Sequence, residues 1–143
     1  MEDDRLKVGL RPDYAEALGL AIYCFANLEW KAVRCCERLE AGSLDLLSDR
    51  TAGRIADTLL HLVGAMPASP AQAALRKAAR DFEFLVGTRN NLVHAKPGLA
   101  PDQSEALFRD GDQWTLGELE SVADTFTACG AMFDEALSGI LAA

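Results

Sequence analysis

The run Ser69-Pro70-Ala71-Gln72-Ala73-Ala74-Leu75-Arg76-Lys77-Ala78-Ala79-Arg80-Asp81-Phe82-Glu83-Phe84-Leu85-Val86-Gly87-Thr88-Arg89-Asn90-Asn91-Leu92-Val93-His94 decides how the chain folds. Serine followed by proline opens a helix. The hydroxyl caps an early N–H, and proline at the first helical position gives up only a donor that had no partner. Leu75, Ala78, Phe82, Leu85 and Val86 then recur at spacings of three and four, which lines one face of a helix. Lys96-Pro97-Gly98 halts it near His94 or Ala95.

Working outward, three more helical segments appear. The first runs from Pro12 or Asp13 to Glu40 and stops at Gly42, with Leu18, Ile22, Phe25, Ala32, Cys36 and Leu39 on its apolar face. The second spans about Asp49 to Met66, with Ile55, Leu59, Leu62 and Val63 inward and Pro67 at its end. The last begins at Thr115-Leu116-Gly117-Glu118, a capping box, and carries Leu119, Val122, Phe126, Cys129, Phe133, Leu137 and Ile140. Ahead of it, two short extended runs flank Asp110-Gly111, a turn pair suited to a hairpin. The expected architecture is all-α: a four-helix up-down bundle with a short β-hairpin insert before the last helix, in one domain over residues 1–143.

Composition narrows the function. Half of the 143 residues are apolar and a quarter charged, as in an ordinary folded domain. The net charge of −8 argues against coating nucleic acid or an anionic membrane by bulk charge. No apolar run nears the roughly 18 residues of a membrane span. The opening MEDDRLKVGL lacks the basic-then-apolar order of a signal peptide, so a cytoplasmic chain without a membrane partner is expected. Cys24, Cys35, Cys36 and Cys129 form no CxxC pair and read as small buried hydrophobes in a reducing compartment. Charge is uneven, however. Residues 71–96 hold five basic and two acidic residues, whereas 97–143 hold one basic and nine acidic. The third helix is the one net-basic element.

That helix ends in Arg89-Asn90-Asn91-Leu92-Val93-His94. Arginine, four residues, then histidine, with a polar residue directly after the arginine, resembles the R-x(4–6)-H signature of the HEPN domains. Phe25-Ala26-Asn27-Leu28-Glu29 in the long first helix, Thr51-Ala52-Gly53-Arg54-Ile55 opening the second, and a final helix after an insert are also similar to that superfamily. The resemblance implies a four- to five-helix homodimer. It further implies a metal-independent endoribonuclease of toxin or defence type, needing no cofactor and countered by a cognate antitoxin protein. The implied chemistry is attack of a ribose 2′-hydroxyl on the adjacent phosphodiester of single-stranded RNA, leaving a 2′,3′-cyclic phosphate and a 5′-hydroxyl.

Helical geometry says how these residues could serve. At about 100° per residue, Arg89 falls in the apolar stripe with Leu75, Ala78, Phe82, Leu85 and Val93. His94 lies about 140° away beside Asn90, Gly87 and Glu83, with Arg76 and Arg80 further up that side. One helix does not easily aim both groups at a single phosphate, whereas two helices across a twofold axis can share a cleft. His94 suits proton transfer because its ordinary pKa is near neutrality. Arg89 suits the oxyanion because its fork is always charged. Asn90 is placed to orient the imidazole or donate to a phosphate oxygen. Arg76, Arg80 and Lys96 are candidate phosphate contacts. Lys96 stands where nucleotidyltransferase-paired HEPN toxins carry a modified tyrosine, so silencing by that route is not expected.

Plainer roles stand beside these. His94 can simply favour the helix C-terminus, and Arg89 can be an internal ion-pair partner of Glu29, which would also fix it for catalysis. His61 reads as structural, and Trp30 and Trp114 as core or edge packing. Phe84 points off the main apolar stripe and suits a subunit contact or a place under the hairpin. The alternative function is a catalytically inert HEPN-like dimer that binds a nucleotide or a protein. A helical regulatory subunit unrelated to HEPN is a third.

Overall fold

The computed structural model describes residues 3–143, which are mostly helical. A short 3-10 turn (Asp4–Lys7) precedes α1 (Pro12–Leu39), α2 (Ser43–Leu47), α3 (Ala52–Gly64) and α4 (Pro70–Val93). Strands β1 (Lys96–Leu99), β2 (Glu105–Arg109) and β3 (Asp112–Gln113) follow, then α5 (Leu116–Ser138). Among the described residues no helix is long and apolar enough to cross a membrane.

The caps read from the sequence are in place. Ser69 Oγ accepts from Gln72 N–H at 3.0 Å. Thr115 and Glu118 bond reciprocally, with Thr115 Oγ1 accepting from Glu118 N–H and the Glu118 carboxylate accepting from Thr115 N–H, both at 3.1 Å. Thr51 Oγ1 caps α3, which therefore starts later than Asp49. The residues between Glu40 and Thr51 form the separate one-turn helix α2 that the apolar period did not reveal.

α1 packs most extensively along α5, and α4 lies between α3 and α5. α1 and α5 point the same way. Tyr14 is bonded to Trp114 just before α5, Lys31 pairs with Asp134 at 2.7 Å, and Arg38 donates to the Leu141 carbonyl. Strict up-down alternation would oppose the first and last helices. The alternation is lost in the long connection holding α2, since a link of that length need not join antiparallel neighbours.

Phe25, Phe82, Phe126 and Phe133 form the centre of the core, with ring centroids 5.1 to 6.1 Å apart. α1 buries Ala17, Ala21 and Leu28 rather than Ile22, which is 40% exposed, because its inner face is rotated toward α5 and small residues there permit close approach. Leu18, Leu39 and Leu62 are only partly buried, and Val93 and Ile140 are exposed where α4 and α5 run out. Leu92 closes the α4 stripe in place of Val93. Cys35, Cys36 and Cys129 are buried and unbridged, and burial pushes their thiols up to about 12; Cys24 is half-buried.

The expected hairpin is there. Asp110 and Gly111 both have positive φ (52° and 85°), the backbone of a two-residue turn that Asp-Gly accommodates. It is part of a larger sheet than expected, because β1 also pairs antiparallel with β2. Gly98 admits this pairing: a Cβ there would lie 2.8 Å from the Phe108 ring. The sheet hangs on Tyr14 of α1, whose hydroxyl donates to the Trp114 carbonyl at 2.7 Å and accepts from Leu107 N–H at 3.0 Å.

Candidate active site

α4 ends at His94, whose N–H bonds the Asn90 carbonyl at 3.0 Å before the chain turns into β1. Arg89 continues the buried stripe of Leu75, Phe82 and Leu85 and is half-buried, as the helical period requires. Its guanidinium carbon sits 4.6 Å from the centroid of the Phe25 ring on α1. Its Nε donates to Asn90 Oδ1 at 3.2 Å. The charge is therefore held by an aromatic face and a neighbouring amide.

Glu29, one turn beyond Phe25 on α1, is half-buried and feels Arg89 electrostatically, but no oxygen of it comes within 4.0 Å of the guanidinium. The expected contact ion pair is replaced by the Phe25 stack and the Asn90 bond. Burial pushes the Glu29 carboxyl above its ordinary range, and the Arg89 charge pulls it partly back. Ionised Glu29 thus opposes folding: this contribution is absent below the unfolded-state pKa and grows as pH rises through the folded one. Glu29→Gln is expected to melt at or above the wild-type temperature at pH 7, with the difference closing near pH 4, as calorimetry at both values would show.

Asn90 is half-buried, and its bond to Arg89 makes it a positioning residue for the guanidinium rather than for the imidazole. The His94 ring is exposed and has no partner among the described residues, so its side chain does not cap the helix by hydrogen bonding. Arg76, Arg80 and Lys96 are likewise exposed and have no acidic partner there, whereas Lys77 is paired with Asp81 at 2.7 Å. No group of three or more His, Cys, Asp or Glu that could hold a metal occurs among the described residues.

One chain does not gather these groups in a cleft. The neighbouring groove, about 690 Å³, runs between Asn91, the β2–β3 turn and the start of α5; Arg109, Trp114 and Glu118 line it, and Arg89 and His94 do not. Trp114 packs partly into the core and His61 is exposed. Trp30 and Phe84 are 45% and 76% exposed, so Trp30 is not a core residue and Phe84 is not covered by the hairpin. The residue that sequence reading missed is Phe25. Its place four residues before Glu29 in the long first helix was visible, but its role as a platform for Arg89 depends on how α1 and α4 meet. Comparison with protein-family models, curated proteins and solved structures finds no match for this chain.

Proposed function

We propose that this chain is a HEPN-like four-helix protein acting as a metal-independent endoribonuclease of toxin or defence type. Arg89, Asn90 and His94 from two copies would form its site. What supports this reading is one helix end that carries both an arginine braced by Phe25 and Asn90 and an unpartnered histidine, on a helix whose other cations Arg76 and Arg80 are unpaired among the described residues. His94 takes the 2′-hydroxyl proton or protonates the leaving 5′-oxygen, and Arg89 offsets charge on the phosphorane. The amide nitrogen of Asn90, with no partner among the described residues, is placed to donate to a phosphate oxygen. Arg76, Arg80 and Lys96 guide the RNA backbone.

A composite site has a specific consequence. Arg89→Ala and His94→Ala are each inactive alone, but their mixed dimers regain one intact site in which Arg89 and His94 come from different copies. Refolding the two variants together should restore about a quarter of wild-type cleavage of single-stranded RNA in EDTA. A mixture as inactive as its parents rules out the shared site. The inert binding module is favoured by one observation: Arg89 is turned inward onto Phe25, away from the His94 side of the helix. On that reading the wild type leaves RNA intact and Arg89→Ala lowers only stability.

A further inference from the structure

We propose that the outer face of α1 is a contact between two copies of this chain, packed antiparallel about a twofold axis. Residues 17–28 of α1 carry no charged side chain, so the helix is apolar on its solvent side as well as inside. On that side Leu20, Tyr23 and Trp30 are 55, 69 and 45% exposed. A helix that is apolar all round belongs in a buried setting, and exposed tyrosine and tryptophan are the side chains that anchor protein contacts. Among the described residues of one chain, nothing covers this face.

The arrangement of the stripe specifies its occupant. Glu16 and Arg34 bound it, both exposed and both without an ion-pair partner among the described residues. They are eighteen residues apart, which is five full turns, so they lie on the same side of the helix. An antiparallel twofold pairing preserves that side and exchanges the two ends. Centred level with residue 25, it sets Glu16 of each copy against Arg34 of the other. The same register sets Trp30 opposite Leu20 and Tyr23 beside Asn27. The exposed apolar side chains of Leu20 and Trp30 meet and each charge meets its opposite, twice, as an isologous contact demands. A parallel pairing would oppose Glu16 to Glu16. The stripe lies on the other side of α1 from Phe25, so this contact is separate from the shared nuclease site and does not depend on it.

Charge reversal tests it. Analytical ultracentrifugation of the full chain should show Glu16→Arg and Arg34→Glu each weakening self-association by about tenfold, and the double reversal restoring it. Tyr23→Ala should weaken it by about 30-fold, halving the particle mass at concentrations where the wild type is assembled. These positions are exposed, so an unchanged melting temperature will establish that the variants are folded. A monomeric wild type, a mass unmoved by these substitutions, or a double reversal that fails to restore assembly overturns the proposal. RNA cleavage plays no part in the readout, so loss of the nuclease reading leaves this result standing, and an assembly unmoved by these substitutions overturns the α1 contact while leaving the shared nuclease site intact.

Discussion

His94→Ala is expected to slow cleavage of single-stranded RNA by a factor of about 10² to 10⁴, the range a positioned acid or base contributes. The melting temperature should stay where it is, because the ring is exposed and has no partner among the described residues. The pairing of those two results is what makes the variant informative. A structural histidine would show the opposite pattern, with stability lost and any activity falling only in proportion. The assay belongs in EDTA with a 2′-deoxy substituted substrate as control, since removing the attacking hydroxyl must stop the reaction if the proposed chemistry is correct. Cleavage that survives His94→Ala would remove the imidazole from the mechanism.

Phe25→Ala should have the largest effect on the fold, about 3–5 kcal/mol, seen as a fall in melting temperature of about 10–15 °C. The ring stacks against Phe82 at 6.1 Å and meets Phe126 edge-on at 5.1 Å, so its loss opens a cavity at the meeting of three helices. It also removes the surface on which Arg89 rests. Phe25→Leu separates the two contributions. Most of the volume is kept, so the stability loss should be much smaller, whereas the guanidinium still loses its aromatic face, worth about 0.5–2 kcal/mol. If Arg89 acts on phosphate, cleavage by Phe25→Leu should fall further than its stability does. Parallel losses in both would leave Phe25 a packing residue only.

Local chemistry was the legible part of this chain. Ser69-Pro70, the Thr115 to Glu118 capping box and the Asp110-Gly111 turn each act within a few residues, and all three do in the structure what their side chains allow. The periods of α4 and α5 were equally plain. Contacts set by packing were not. The inner face of α1 could not be fixed by its own period, because its solvent face is apolar as well. β1 was hidden because Lys96-Pro97-Gly98 reads as a helix stop, which it also is. The same limit applies at the candidate site. The spacing of Arg89 and His94 on one helix could be read directly, and so could their angular separation. That Arg89 would lean on Phe25 and Asn90 rather than on Glu29 follows only from the way α1 and α4 cross.

The Tyr14 hydroxyl gives the molecule a common mechanical reference. By gripping the backbone at both Leu107 and Trp114, it fastens the three-stranded flap to the same rod that carries Phe25 eleven residues further along. Wall and floor around the tip of α4 are therefore mounted on a single beam. Any swing of that tip registers against both at once, and the flap cannot drift independently of the surface that cradles the guanidinium.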